Sequence, residues 1–174
     1  MQQNYFELFG LPQTFELDVK QLETNYRNIQ STSHPDRFVT AGATEKLQAM
    51  QTATLANEAY AALKSPANRA KYLLALQGID AISETNTAMP AAFLMQQLEW
   101  REEVADAAAQ KDIIGISKVL SNVKAEAANL ENQLKTHFKN QDLVAATQDT
   151  RQLIFMQKVI TDVQQTLEKI EDLV

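Results

Sequence analysis

No cysteine occurs anywhere in the chain, which excludes disulfide cross-links, thiolate metal sites and a thiol nucleophile. Glycine and proline are scarce, four of each in 174 residues, too few turn formers for a fold rich in hairpins. Positive charge is in the minority, with 16 Lys and Arg against 22 Asp and Glu and a formal net charge of -6. That is the wrong sign for a general binder of nucleic acid or of an anionic membrane, since both need a positive field. No apolar run is long enough to span a bilayer, and Met1-Gln2-Gln3-Asn4 lacks the basic and apolar regions of a signal peptide, so the expected setting is the cytoplasm. What the chain does have is 45% hydrophobic residues, enough for a sizeable core, and abundant Ala, Leu, Gln, Glu and Lys, all good helix formers. The expectation is an all-α protein.

Asn4 to Leu11 reads as a short helix, with Tyr5, Phe6, Leu8 and Phe9 apolar and Gly10 placed to end it before Pro12. Asp18 is a good N-cap for a second helix that runs to about Ser31, with Val19, Leu22, Tyr26 and Ile29 at helical spacing. A polar corner follows at His34-Pro35-Asp36-Arg37. Pro35 drives His34 out of the helical region, and Asp36 is suited to bonding nearby backbone donors. A third helix from near Thr44 to Lys64 carries the apolar stripe Leu47, Met50, Leu55, Ala59, Tyr60 and Leu63. Two amphipathic helices joined by such a turn should lie antiparallel with the corner exposed at one end. Ser65-Pro66 then caps a short fourth helix that Gly78 stops.

From Gly78 to Met89 the residues are mostly small and polar, and a domain boundary is placed here, with residues 1–77 before it, 78–90 as a linker and 91–174 after it. Three long helices follow, roughly Ala91 to Gln110, Asp112 to Lys139 and Asp142 to Leu173, with connections short enough to favour an antiparallel three-helix bundle. The first of them has two apolar faces. Phe93, Trp100, Val104 and Ala107 form a narrow arc suited to burial, whereas Leu94, Met95 and Leu98 lie elsewhere, beside Glu99, Glu102 and Asp106. Large apolar groups flanked by acids suit a binding patch, and equally suit packing under a neighbouring element.

The short aromatic helix, Tyr26-Arg27-Asn28-Ile29, His34-Pro35-Asp36, Asn57-Glu58-Ala59-Tyr60 and Ser65-Pro66-Ala67-Asn68-Arg69-Ala70-Lys71-Tyr72 together resemble a J-domain. No Gly/Phe-rich linker and no cysteine-based zinc module follows. Instead, Ala92-Phe93-Leu94-Met95-Gln96-Gln97-Leu98-Glu99-Trp100-Arg101-Glu102-Glu103 resembles the start of the carboxy-terminal domain of the HscB family, co-chaperones of iron-sulfur cluster biogenesis. The resemblance covers essentially the whole chain. It implies an L-shaped protein made of an N-terminal J-domain, an antiparallel helical hairpin with flanking short helices, and a C-terminal three-helix bundle.

The resemblance also implies partners and no chemistry of the chain's own. The J-domain would engage the DnaK-type ATPase HscA and stimulate its ATP hydrolysis through His34, Pro35, Asp36 and Arg37, with Arg27 and Lys20 contributing positive charge. The bundle would bind the cluster scaffold protein IscU through Leu94, Met95, Leu98, Glu99, Glu102 and Asp106, together with Phe155 on the last helix. Asp106 stands where a glutamate is usual, Thr32 where many J-domains carry a lysine, and Gln30 is unusual for the pattern. A rival reading keeps the J-domain but lets it recruit a general DnaK-type chaperone to another client. A hydrolase built on His34 and Asp36 is disfavoured, because the sequence supplies no nucleophile for it and its other histidine, His137, lies far along a different helix. No catalytic residue, resident metal or cofactor is expected.

Overall fold

The computed structural model describes residues 3–83 and 88–174, with seven α-helices and no β-strand among the described residues. The chain divides after Gln77 into two compact units.

In the first unit, α1 (Tyr5–Leu8), α2 (Val19–Ser33), α3 (Ala43–Lys64) and α4 (Pro66–Leu76) surround a core that includes the fully buried Phe6, Leu22, Leu63 and Leu74. Each such side chain contributes about 2 kcal/mol by leaving water. Local sequence fixes where the helices begin. Asn4 and Glu7 form a capping box on α1, the Asp18 carboxylate accepts from Gln21 N on α2, and Ser65 caps α4 ahead of Pro66. Gly10 and Gly78 take the left-handed conformation that follows a helix end, at φ 63 and 77. The hairpin of α2 and α3 is held by a stack of Tyr26 on Tyr60, 4.1 Å between ring centres, and by Tyr26 Oη donating to Asn57 Oδ1 at 2.6 Å. Gln30 Nε2 in turn donates to Tyr26 Oη at 2.6 Å, which gives this unusual residue a structural use.

Two expectations need correction in this unit. α2 runs on to Ser33, whose hydroxyl bonds Ile29 O at 2.6 Å, rather than stopping near Ser31. The face of α3 turned to the core is Ala49, Ala56, Ala59 and Leu63, while Leu47 and Met50 are exposed. Small alanine side chains let the neighbouring backbones come close, and a larger residue on that face would hold them apart.

The second unit is built on α5 (Ala91–Ala109), α6 (Ile113–Lys139) and α7 (Leu143–Glu171). Its core is centred on Ile116, Val123, Leu134, Leu153 and Met156, with Trp100 and Val104 buried from α5. Phe93, expected on the same arc, is only half-buried. Of the stretch expected as a linker, residues 84–87 lie outside the described residues. Ala81 is fully buried, and its carbonyl accepts from Arg151 Nε at 2.7 Å, which fastens the start of that stretch to α7.

Both connections in the bundle use the same device. Lys111 and Gln141 sit at φ 54 and 56, each followed at once by an aspartate, Asp112 or Asp142, whose carboxylate caps the next helix. Asp112 N bonds Ala107 O at 2.8 Å and Asp142 N bonds His137 O at 2.9 Å, closing the preceding helix with a Schellman-type bond. A side chain at positive φ is strained, so Gln141→Gly is expected to stabilise the protein by about 0.5 kcal/mol. A urea midpoint that stays put or falls would count against strain at this corner.

Next to the second corner, His137 Nδ1 lies 2.5 Å from Asp149 Oδ2 and ties the end of α6 to α7. Burial raises the Asp149 carboxyl above its usual 3.8, with Asp142 adding to the rise, while the hydrogen bond and charge of His137 oppose it. A carboxyl raised in the folded state binds its proton more readily there than in the unfolded chain. Its contribution to stability therefore falls as pH climbs from the unfolded value through the folded one. Removing the partner as His137→Ala is expected to cost about 2 kcal/mol near neutral pH. The loss should shrink towards about pH 4, where the lone carboxyl is increasingly neutral. Urea midpoints of both proteins across that range measure it, and a pH-independent difference would contradict it.

Candidate functional site

The first candidate surface is the corner between α2 and α3. His34 has φ -62 and ψ 134, the extended conformation its proline neighbour demands, and Pro35–Phe38 forms a single 3-10 turn with Pro35 in its opening positions. His34 Nδ1 accepts from Asp36 N at 3.3 Å, and Arg37 N bonds His34 O at 3.0 Å. The corner is thus fixed by its own backbone. Its side chains are left to solvent, with that of His34 59% exposed and that of Asp36 88% exposed. Arg27, Gln30, Ser31, His34, Asp36 and Arg37 together line a shallow depression.

The structure does not bring all the anticipated groups to this surface. Lys20 lies near the opposite end of α2, about 20 Å away by helical rise. Arg27 does border the depression, but its guanidinium is 2.5 Å from Glu23 Oε1 in an i,i+4 pair, so part of its charge is already answered. Among the described residues Arg37 has no carboxylate partner, and its side chain reaches Ser31 Oγ at 3.5 Å beside His34.

The second candidate surface is on the bundle. α5 packs along α6 far more than along α7, and between α5 and α7 an open groove of about 570 Å³ remains. Its floor includes the buried Trp100, Val104 and Val163, and its rims carry Leu94 and Leu98 from α5 and Phe155 from α7. Leu94 is 47% exposed, Leu98 56% and Met95 64%. These are large apolar groups that the fold leaves wet. Phe155 is half-buried, its ring edge-on to Phe93 with centroids 5.8 Å apart. Met95, Glu99, Glu102 and Asp106 are exposed on α5 but stand outside the groove, along the outer side of the helix. Leu94, Leu98 and Phe155 therefore meet at one feature, and the acids lie apart from it on the same helix.

Sequence reasoning missed Arg101 on the α5 rim, and Lys158, Val159 and Asp162 on the α7 wall. Lys158, Val159 and Asp162 follow Phe155 at i+3, i+4 and i+7, a signal that would have found them once Phe155 had been placed on a rim. His137 is the other residue whose surroundings were not foreseen, because its carboxylate partner lies 12 positions away across a corner. Among the described residues no group of three or more His, Cys, Asp and Glu side chains is arranged to hold a metal ion, and no helix is long and apolar enough to cross a membrane.

Comparison with known proteins gives these surfaces a context. A family model described as the HSCB C-terminal oligomerisation domain matches residues 89–164. The co-chaperone protein HscB homolog of Burkholderia cenocepacia is 43% identical over 171 residues, spanning 98% of this chain and 98% of that protein. The chain belongs to the HscB family. Among solved structures of HscB proteins, the chaperone HscB from Vibrio cholerae superposes with a TM-score of 0.85 at 37% identity, over 96% of this chain and 99% of that one. The human co-chaperone protein HscB gives a TM-score of 0.86 at 28% identity, over 97% and 83% of the two chains. In HscB terms the first unit is a J-domain, with the exposed corner at the tip of its hairpin, and the second is the carboxy-terminal helical domain, with the groove along α5 and α7.

Proposed function

We propose that the protein is a non-enzymatic, cytoplasmic co-chaperone that binds the iron-sulfur scaffold protein IscU on its second unit and presents it to the DnaK-type ATPase HscA through its first. On this reading Leu94, Met95, Leu98 and Phe155 supply apolar anchors for IscU. Glu99, Glu102 and Asp106 set its orientation through charge. His34, Pro35, Asp36 and Arg37 meet HscA and accelerate its ATP hydrolysis, so that IscU is held by the chaperone while its cluster is passed on. All the bond-breaking takes place in the ATPase. Lys20 and Arg27 contribute to the encounter by long-range attraction rather than by contact at the corner.

The observation that carries this reading is the division of labour along α5. Trp100 and Val104 do the packing, while Leu94, Met95 and Leu98 stay about half exposed beside three acids, in a chain of the HscB family. A helix whose apolar groups are only partly used by its own fold has surface left for a partner.

The test is steady-state ATP turnover by HscA with IscU alone, with this protein alone and with both. Stimulation by both together should exceed the sum of the two separate effects, because the two ends act on one complex. If turnover of a general DnaK-type chaperone is stimulated equally well and IscU adds nothing, the adaptor-to-another-client reading is the better one.

A further inference from the structure

The apolar surface of the second unit does not end at Phe155. Across it lies a smaller crevice of about 240 Å³, walled by Ala81, Ile82 and Met89 on one side and by Arg151, Ile154 and Lys158 of α7 on the other. Phe155 and Lys158 belong to both hollows and form the ridge between them. The lining of the crevice is almost wholly apolar, so Arg151 and Lys158 present their aliphatic stems to it. Ile82 is 42% exposed at its mouth. At this volume the crevice is too small for a drug-sized ligand and suits one or two side chains.

The groove itself carries charges of both signs, with Arg101 on its α5 rim and Lys158 and Asp162 on its α7 wall. Glu99, Glu102 and Asp106 are exposed further round α5, outside the groove. Among the described residues no carboxylate lines the crevice, and its two charged residues are cations. Arg151 is buried, with its Nε committed to the Ala81 carbonyl, so among the described lining residues the exposed Lys158 is the charge open to a partner. Lys158, on the ridge beside Phe155, is therefore a cation that borders both hollows.

We infer that the crevice is a second anchor site on the same docking surface, taking an apolar side chain of the scaffold protein that has a carboxylate close by for Lys158. The inference rests on the reading of the Leu94 and Leu98 face as the scaffold-binding face. A partner that covers Phe155 must cover both hollows, because the ridge is shared. A partner acid placed over Lys158 then favours one orientation of the bound scaffold, and a partner base there is penalised by like-charge contact.

Calorimetric titration of IscU into the full chain tests this with three proteins beside the wild type. Ile82→Ser removes an apolar wall that belongs to the crevice alone and is expected to weaken binding about 5-fold. Lys158→Glu is expected to weaken it about 10-fold at low salt, with the effect shrinking as salt is raised. Leu94→Ala with Leu98→Ala reports on the underlying reading. If the leucine variant binds weakly while Ile82→Ser and Lys158→Glu bind like wild type, the crevice proposal is overturned and the reading stands. If all three bind like wild type, both fall. Thermal melting checks that each variant is folded, and Met89→Ala opens the same wall independently should Ile82→Ser be unstable. Sedimentation of the chain alone covers the other occupant, since self-association lost in Ile82→Ser with IscU affinity unchanged would assign the crevice to a second copy and overturn the proposal.

Discussion

Replacing His34 with Gln is expected to abolish stimulation of HscA turnover while leaving the melting temperature and IscU affinity unchanged. The argument starts from what the side chain does for the fold, which is little. Among the described residues the polar contacts of the His34 side chain are with Asp36 alone, whose N donates to Nδ1 at 3.3 Å and whose Oδ2 lies 3.5 Å from it, and the ring is largely exposed. The shape of the corner is set by Pro35 and by the bond from Arg37 N to His34 O. Glutamine keeps a polar side chain of similar length and leaves Pro35 in place, so a stability change above about 0.5 kcal/mol is not expected at this surface position. What it lacks is a flat ring that pairs a donor or acceptor with a face able to pack on a partner. Desolvating such a group at an interface makes its loss expensive for the complex and cheap for the free protein. Full stimulation by a folded His34→Gln variant would sink the assignment of the corner as the ATPase-facing end.

The double change Leu94→Ala and Leu98→Ala is expected to weaken IscU binding by about 3 kcal/mol, roughly 100-fold, without reducing stability by a comparable amount. Both leucines are about half exposed in the free protein, so each has much of its apolar surface still to bury on docking, and truncation removes anchors from the rim of the groove without touching its floor of Trp100 and Val104. Leu47→Ala is the matched control. Leu47 is 53% exposed and apolar but lies on α3 of the other unit, so its loss should leave IscU affinity where it was. Calorimetry on the double variant and the control separates a specific face from general stickiness. Equal weakening in both would mean that the groove has no special role.

Much of this architecture can be read from the residues because its signals are local. Asp18, Ser65, Asp112 and Asp142 each announce a helix start by a side chain that bonds its own first turn, and Gly10 and Gly78 announce two ends. The split face of α5 is likewise a matter of angle along one helix, and Trp100 and Val104 fall inside while Leu94, Met95 and Leu98 fall outside. On α3 the expected stripe holds at Ala59 and Leu63 and fails at Leu47 and Met50, because the choice of face there depends on a neighbour. By hydrophobicity Leu47 and Met50 outweigh Ala49 and Ala56, yet close approach of the packed helices selects the small residues, and nothing within the α3 sequence states that distance. The pairing of His137 with Asp149 and the bond from Arg151 to Ala81 were illegible for a related reason, since they join positions 12 and 70 residues apart and depend on how the chain returns. The candidate site behaves the same way. Its α5 half could be drawn on one helix, and its α7 half, with Lys158 and Asp162, emerged only when two helices were set side by side.

The two tight corners at Lys111 and Gln141 leave the bundle no slack. Deleting or adding one residue at either would turn the following helix by about 100° about its own axis relative to the one before. At Gln141 that would swing Phe155 away from Leu94 and Leu98, and the groove would be lost although every residue lining it remained. The lengths of these loops are therefore as much a part of the proposed docking surface as the side chains that form it, and an alteration in loop length there should be far less tolerated than any exchange of one loop residue for another.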